Sequence, residues 1–263
     1  ARSPDWADRL AAWEAEELRR QQATTWEIVE AMELHHTTEL NHPVSLPDKS
    51  ILTLGHPTSG GDTYMIAEPN VTNVTGLRLE ILTSGDLPFG GPGRSYKGTW
   101  ALSELVVETQ ILGTNQPPGT NVWERLKLVN VTADFSEPDH ALEPEWANAG
   151  VDKDAKRTCG PATFLADSNN LTAWRADRGV GRRNADSVAV AQFEKPLTLP
   201  AGAKLKFSLR QDHAGAGSNA KNTMIGRFRI ACTTTPDPKA STTPYAAVRA
   251  LQTPRAQRTA EQS

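Results

Sequence analysis

The sequence predicts an all-β protein: a jelly-roll-like β-sandwich built of two related halves, with an N-terminal helical connector and a flexible C-terminal tail. From Thr24 to residue 235, short runs rich in β-branched residues alternate with clusters of Gly, Pro, Asn and Asp. This pattern is typical of antiparallel sandwiches and barrels. At 263 residues, the chain is long enough for one large core or two small ones.

The N-terminal segment predicts a helix over residues 4–22. Trp6, Leu10 and Trp13 recur at the spacing of one helix face, and basic residues stand in the predicted last turn. We therefore assign residues 1–23 to a helical connector whose tryptophans pack on a neighbouring domain.

The β-region divides at a joint rich in Pro, Gly and Asn, residues 113–121. A first half, 24–112, precedes the joint, and a second half, 122–235, follows it. Strands are predicted at 25–34, 50–55, 62–68, 76–82, 100–109, 126–135, 187–194, 203–211 and 226–234. The remaining residues, 236–263, have the Pro-, Thr-, Ala- and Gln-rich composition of a linker.

A strand–loop–strand pattern occurs twice. Residues 75–82 and 203–210 both place apolar residues at alternate positions, and a glycine-bearing polar loop and a second strand follow each of them. The repetition favours two related halves. Chance similarity between two amphipathic strands is the alternative.

The charge and hydropathy of the chain exclude two classes of partner. The net charge is −3 and basic residues do not cluster, which argues against nucleic acid. No apolar stretch approaches the roughly 20 residues of a membrane helix. No catalytic motif stands out either, so the sequence does not specify a reaction.

A glycine-rich loop precedes the strand at 100–109. Gly90, Gly91 and Gly93 are followed by Arg94, as in some phosphate-binding loops. A phosphate cradle needs a helix after the glycines, whereas a strand follows here. Arg94 and Tyr96 are instead candidates for ligand contacts, and an ordinary hairpin loop is the alternative.

The densest polar stretch, 164–184, combines oxygen-bearing side chains with Trp174 and several arginines. An aromatic face with planar polar groups suits a sugar ring, although a core tryptophan beside a salt-bridged loop is also compatible. We predict a non-catalytic carbohydrate-binding site on the loops at 84–98, 174–184 and 211–223. Its candidate residues are Arg94, Tyr96, Trp174, Arg178, Arg182, Gln211, His213 and Asn222.

Nearly the whole chain resembles a segment of planctomycete multidomain proteins. The segments that carry the resemblance are 55–108, 159–197, 205–213, 222–234 and 246–262. In those proteins a c-type cytochrome-like domain is joined to planctomycete domains of unknown function. The resemblance implies a periplasmic or otherwise exported parent, and an alternative role as a structural spacer that positions the cytochrome and neighbouring domains. No Cys-x-x-Cys-His occurs, so no haem is expected in this chain.

A second resemblance is to discoidin-like, galactose-binding-type jelly rolls. The matching residues are Ala166, Asp167, Thr172 and Trp174, then Leu102, Ser103, Glu104 and Val107. The resemblance implies a calcium site with Asp167, Thr172 and Glu104 as ligands. Two departures bear on it, because Ser168 replaces the usual glycine and the two pieces occur in reversed order.

Two cysteines and the acidic strand residues leave further alternatives. Cys159 and Cys232 pair in a disulfide if the compartment is oxidising, and are otherwise two buried thiols.

A polysaccharide-degrading enzyme is a minor alternative, because the separation of paired carboxylates is spatial and not sequential.

Overall fold

The computed structural model describes residues 5–38, 40–55, 61–110, 122–142, 156–213 and 223–260. Within these ranges the protein is an all-β sandwich of two large antiparallel sheets, accompanied by a small three-stranded sheet. In the described part of the chain, no helix has the length and apolar character needed to cross a membrane.

The described residues form two α-helices, α1 (Trp6–Gln22) and α2 (Tyr245–Gln252). The strands are β1 (Glu27–Ile28), β2 (Glu33–His36), β3 (Asn41–Ser45), β4 (Ile51–Gly55), β5 (Thr63–Ala67), β6 (Asn73–Ile81), β7 (Glu104–Gln110), β8 (Trp123–Leu126), β9 (Leu128–Ala133), β10 (His140–Ala141), β11 (Thr158–Gly160), β12 (Thr172–Trp174), β13 (Ser187–Thr198), β14 (Leu205–Arg210) and β15 (Arg227–Thr233). The predicted strand at 25–34 is wrong as one element, since it divides into β1 and β2 of different sheets.

The strand pairing is that of a jelly roll. The first sheet has the order β3-β4-β15-β6-β13-β9, with β1 also on β15, and the second has the order β2-β5-β14-β7-β8. Successive pairs therefore alternate between sheets: β4 with β15, β5 with β14, β6 with β13, and β7 with β8. Each sheet takes strands from both sides of the 113–121 joint, so the two stretches form one sandwich.

The core lies between the two sheets. Alternate side chains of the central strands point inward, among them Leu79 and Ile81 of β6, Phe207 and Leu209 of β14, and Ile230 of β15, and all of them are almost fully buried. Burial of these large apolar side chains supplies most of the free energy that holds the sheets together.

Three connections meet at one end of the sandwich. The β6–β7 loop leaves the first sheet where Ile81 pairs with Phe228, and it enters the second sheet where Glu104 pairs with Arg210. Residues 211–213 and 223–226, the described ends of the β14–β15 connection, therefore lie beside it. The β12–β13 loop joins them because Ser187 also pairs with Ile81. We call residues 82–103, 175–186, 211–213 and 223–226 the loop end.

The C-terminal segment differs from the predicted flexible tail. Tyr245, Val248 and Leu251 of α2 are buried, and the helix packs on Val188 and Val190 of β13. Their spacing of three residues forms one apolar face on the helix. The alanine-rich composition conceals this face, because few of its residues are strongly apolar.

A buried carboxylate fixes α2 to the first sheet. Glu80 of β6 is fully buried and accepts hydrogen bonds from Tyr245 Oη and Arg229 Nε. Arg78 Nη2 lies 3.0 Å from the Glu80 Oε1 atom. Burial, with the nearby Glu80 charge, raises the pKa of Tyr245 to about 12. The C-terminal helix is thus joined to the sandwich by apolar contacts and by the hydrogen bond from Tyr245 to the Glu80 carboxylate.

Candidate functional site

The glycines of the β6–β7 loop allow two backbone segments to pack directly on each other. A Cβ atom at Gly93 would lie 2.0 Å from the Thr99 carbonyl oxygen, and one at Gly91 would lie 2.6 Å from the Gly98 oxygen. Backbone hydrogen bonds from Gly93 N to Gly98 O and from Arg94 N to Met224 O tie the loop to itself and to the β14–β15 connection. These glycines therefore build a well-bonded loop, and no phosphate cradle follows from them.

A cleft with exposed aromatic side chains lies at the loop end, between the β6–β7 and β12–β13 loops. We call it the aromatic cleft. Its volume is about 480 Å³, and its lining includes Phe89, Tyr96, Lys97, Val180, Arg183 and Asn184. Exposed fractions are 80% for Phe89, 86% for Val180 and 45% for Tyr96. Large apolar surfaces held in solvent at one place are typical of binding sites.

Phe89 carries a second unfavourable feature besides its exposure. Its φ of 55° and ψ of 22° lie in the left-handed region, inside the short 3₁₀ turn Pro88–Gly90. For a bulky residue this conformation is rare and costs roughly 1–3 kcal/mol. Strained residues concentrate at functional sites. The backbone strain of Phe89 and its exposure therefore both indicate a binding site.

Val180 is held in solvent by its neighbours. Gly179 and Gly181 have φ values of 84° and 79°, which only glycine adopts without strain. Arg183 anchors the loop, because its Nε donates to both carboxylate oxygens of Asp177 at 3.0 and 2.9 Å. Sequence reasoning did not identify Phe89 or Val180 as site residues. The signal available was a single large apolar residue inside a glycine-bearing polar loop.

Of the predicted ligand residues, Tyr96 lines the aromatic cleft and Arg182 is exposed on the neighbouring loop. Asn222 lies outside the described residues. Trp174 is fully buried. Its ring packs edge-on against Trp100 with centroids 4.7 Å apart, and its Nε1 donates to the Phe135 carbonyl at 3.3 Å. In this structure Trp174 is a core residue, and its face is closed to a sugar.

Gln211 and His213 are also buried, and they support the loops from within. The Gln211 Oε1 atom accepts from Ile225 N at 2.6 Å, and its Nε2 donates to the Gly61 carbonyl at 3.2 Å. The His213 ring bonds to the Ser103 hydroxyl at 3.1 Å and to the Thr158 carbonyl at 3.1 Å. The polar groups of both side chains are therefore engaged in hydrogen bonds that hold the loop end together.

Arg178 is likewise part of the fold. Its guanidinium donates to Asp134 and to the Ser187 hydroxyl, each at 2.7 Å, and it lies over the Phe135 ring at 4.8 Å. Burial raises the pKa of Asp134, and the Arg178 charge opposes this effect. Arg178 therefore neutralises a buried carboxylate and does not face the aromatic cleft.

Arg94 lies in a second cleft, of about 400 Å³, which we call the Arg94 cleft. Tyr96 lines this cleft too, so the two clefts adjoin. The half-buried guanidinium donates to Asn41 Oδ1 and, at 2.7 Å, to the Gly55 carbonyl. Within the described ranges, no carboxylate forms an ion pair with Arg94. Burial accordingly lowers the pKa of Arg94.

His36 lies close enough to Arg94 to respond to its charge. The Thr38 amide and hydroxyl hydrogen-bond to His36 Nδ1 at 3.2 and 2.9 Å, and the buried Nε2 has no hydrogen-bond partner in the described part of the protein. Burial, assisted by the Arg94 charge, lowers the pKa of His36 from 6.5 to about 4. The folded protein therefore holds this ring neutral at physiological pH.

Replacing His36 with asparagine is expected to weaken the pH dependence of stability. Below pH 6.5 the unfolded His36 gains a proton that the folded ring refuses until about pH 4, so the wild-type protein loses stability as pH falls through this window. The contribution reaches up to about 1.4 kcal/mol per pH unit. Urea denaturation at pH 7, 5.5 and 4 measures it, with exposed His35→Asn as the control. Equal slopes in wild type and H36N would contradict the assignment.

The three residues predicted to bind calcium lie together beside the start of β7, next to the loop end. Thr172 Oγ1 donates to Asp167 Oδ2 at 2.7 Å. The Asn169 amide is shared between Glu104 Oε1 at 3.0 Å and Asp167 Oδ1 at 2.9 Å. Burial, then the neighbouring Asp167 carboxyl, raises the pKa of Glu104 to about 7, although Arg125 acts in the opposite direction.

This donor set consists of oxygen atoms only, which is the chemistry calcium prefers. Burial and the adjacent Asp167 carboxyl thus disfavour the ionised form of Glu104, although Arg125 Nη2 lies 3.1 Å from its Oε2. Across the described residues there is no group of three or more His, Cys, Asp or Glu side chains suited to a metal. Any ion here would therefore rely on hydroxyl and carbonyl oxygens as well.

Two alternatives were open for the cysteines, a disulfide and two buried thiols, and the structure has the buried thiols. Cys159 and Cys232 are both buried and carry no disulfide bond. Cys159 lies in β11 of the small sheet, whereas Cys232 lies in β15 of the first large sheet. Burial raises the pKa of Cys232 to about 12, so this thiol is unreactive.

A jelly roll carries many unrelated functions, so function has to be argued from the clefts and their residues. The loop end supplies an aromatic cleft and an adjoining cation, and an oxygen-lined cluster lies next to it at the start of β7. Comparison of the chain with protein-family models, with curated proteins and with solved structures finds no match.

Proposed function

We propose that this chain is a non-catalytic carbohydrate-binding module whose ligand lies in the aromatic cleft. The observation that carries the proposal is the joint exposure of Phe89, Tyr96 and Val180 from two separate loops around one cleft. Aromatic rings suit the C–H faces of sugars, and nearby amide and cationic donors such as Asn184 and Lys97 suit hydroxyl groups.

The architecture of the site supports the same proposal. A volume of about 480 Å³ falls within the size range of small-ligand sites. The loops around it are held by buried bonds of Gln211, His213 and Arg178, so little order has to be gained on binding. The resemblances to galactose-binding-type jelly rolls and to segments of exported planctomycete proteins agree with a secreted, multidomain parent.

Changes to the exposed rings are expected to weaken sugar binding without harming the fold. Phe89→Asn removes the ring and places a residue that tolerates left-handed backbone at this position. We expect at least about tenfold weaker binding, the loss of roughly 1–2 kcal/mol of aromatic contact. A glycan array selects the ligand, and isothermal titration calorimetry measures its affinity.

The control for this experiment is Trp6→Ala, because Trp6 is as exposed as Tyr96 at 45% but lies on α1. Tyr96→Ala should resemble Phe89→Asn, and Trp6→Ala should bind as wild type. A folded wild-type protein that binds no glycan, with and without calcium, would overturn the proposal.

We also propose calcium as a structural ion of the module, held by Glu104, Asp167 and Thr172. When bound, calcium would supply positive charge to the two adjacent carboxylates and would fix the loop that carries Asp167. The oxygen-only donor set and the raised pKa of Glu104 support this proposal.

Calcium is expected to raise the melting temperature of the wild-type protein and to leave that of Glu104→Gln unchanged. An ion at 100 times its dissociation constant stabilises the folded state by about 2.7 kcal/mol. The control is Glu108→Gln, four residues along the same strand, where the carboxylate pairs with Lys206 at 3.0 Å. Equal calcium responses in wild type, E104Q and E108Q would place the ion elsewhere.

A second candidate function is a structural spacer that positions the cytochrome-like and neighbouring domains of a longer polypeptide. The observation that favours it is the 45% exposure of both Trp6 and Trp13 on α1, where Trp13 borders a groove of about 640 Å³ against the C-terminal segment. Oxidative footprinting of the full-length polypeptide tests it. The spacer role predicts protection of both tryptophans relative to the isolated module, and equal labelling would reject it.

A further inference from the structure

We infer that the ligand is an anionic saccharide, and that Arg94 binds its carboxylate or sulfate group in the Arg94 cleft. This inference rests on the proposed function and names the class of sugar that the loop end selects. It depends on two side chains, Arg94 and Thr53, whose bonding is incomplete in the folded protein, and on the position of Tyr96 between the clefts.

The first observation is the charge state of Arg94. A guanidinium stays protonated in proteins and carries five N–H donors. Two acceptors face it in the structure, Asn41 Oδ1 and the Gly55 carbonyl, and both are neutral. In proteins, buried charges are normally paired with an opposite charge. The half-buried Arg94 has no such partner among the described residues, so an anion from outside the chain would complete its bonding.

The second observation concerns Thr53 of β4, which lines the same cleft. Its hydroxyl is buried, and in the described part of the protein it makes no hydrogen bond. An unsatisfied buried hydroxyl costs about 1–3 kcal/mol. A ligand oxygen that reached this hydroxyl through a small shift of the cleft wall would relieve this cost, while the anionic group of the ligand neutralised Arg94.

Tyr96 connects this cleft to the proposed sugar site. Because Tyr96 lines both clefts, a saccharide in contact with its ring borders the Arg94 cleft as well. Lys97 adds a second cation on the aromatic side. The carboxylate of Asp86 also lines the Arg94 cleft, where it is exposed and opposes an anion. Replacing Asp86 with a neutral residue should therefore strengthen the binding of an anion.

The test compares matched ligands on the wild-type protein by isothermal titration calorimetry at 150 mM salt. The probes are trigalacturonate, its neutral methyl ester, and a galactose oligosaccharide with and without sulfate. We expect the anionic member of one pair to bind about tenfold tighter or more than its neutral partner, as for hydrogen bonds to a charged group. The pair that shows the preference identifies the carboxylate or the sulfate as the group recognised.

Two variants assign the preference to this cleft. Asp86→Asn should tighten binding of the anionic probe and leave the neutral probe unchanged. Arg94→Met should remove the preference while neutral binding persists, and its melting temperature reports whether it folds. If Arg94→Met does not fold, the ester comparison and Asp86→Asn decide the question.

Equal binding of charged and neutral probes, or no response to Asp86→Asn, would overturn the anionic specificity and leave the carbohydrate-binding proposal intact. Failure of every saccharide to bind the folded wild-type protein would overturn the carbohydrate-binding proposal, and the anionic specificity with it. The two failures are therefore distinguishable.

Discussion

Replacing Trp174 with alanine is expected to lower the free energy of unfolding by about 3–5 kcal/mol, which is typical for removal of a fully buried tryptophan. Trp174 has no exposed surface, contacts Trp100 edge-to-face, and satisfies the Phe135 carbonyl through its Nε1. The substitution would leave a large cavity next to Leu102, whose backbone pairs with that of Trp174. Urea denaturation, monitored by the circular dichroism of the backbone, measures the loss of unfolding free energy.

Phe89→Asn supplies the matched comparison, because it removes an aromatic ring that is 80% exposed. We expect this variant to be at least as stable as the wild type, because asparagine tolerates the left-handed backbone, and to lose sugar affinity. Trp174→Phe should recover part of the stability that Trp174→Ala loses. A Trp174→Ala protein of wild-type stability that no longer binds sugar would restore Trp174 as a ligand residue, contrary to its burial.

Replacing Glu80 with leucine is expected to cost about 3–5 kcal/mol, the usual loss when one partner of a buried ion pair is removed. Arg78 and Arg229 both face the Glu80 carboxylate with little exposed surface, and Tyr245 donates to it. Among the described residues, Arg229 keeps another carboxylate, Asp48, at 3.5 Å, whereas Arg78 has no second carboxylate partner. Thermal and urea denaturation measure the effect.

Two variants separate the contributions at this site. Tyr245→Phe removes one hydrogen bond to Glu80 and should cost about 1–2 kcal/mol. Glu108→Gln breaks a more exposed ion pair with Lys206 and should cost less than about 1 kcal/mol. If Glu80→Leu proves no more harmful than Glu108→Gln, the cluster does not fix α2 to the sheet.

The strand pattern predicts most of the sandwich, because inward-facing positions such as Leu77 and Leu79 must be apolar every second residue. The pattern does not reveal β3, whose Asn and Pro residues are tolerated only because the strand lies at a sheet edge. It also misses β12, since three residues are too few to show a period. The packing of α2 was missed for a related reason, because only tertiary contact distinguishes its short apolar face from a linker.

The candidate site was predictable in part, and the limits have a physical origin. Two aromatic residues illustrate this limit: Tyr96 is exposed on the β6–β7 loop, whereas Trp174 in β12 is buried. Chemical type alone does not specify which way a loop side chain points. By contrast, Glu104 lies beside Asp167 and Thr172 although it is distant from them in the sequence, and the binding of calcium there stays a prediction.

The interleaved strand order has a consequence for how the molecule forms. The last strand, β15, lies between β4 and β6, and its residue Cys232 pairs with Glu27 near the start of the described chain. The first sheet cannot close until β15 is present, and the second cannot close until β14 is present. Such distant pairings place the chain among slow folders, on a timescale of roughly milliseconds to seconds. During synthesis, β4 and β6 lack their partner β15, and β5 and β7 lack their partner β14, until those strands have been made. The unpaired strand edges expose the nascent chain to aggregation during this time.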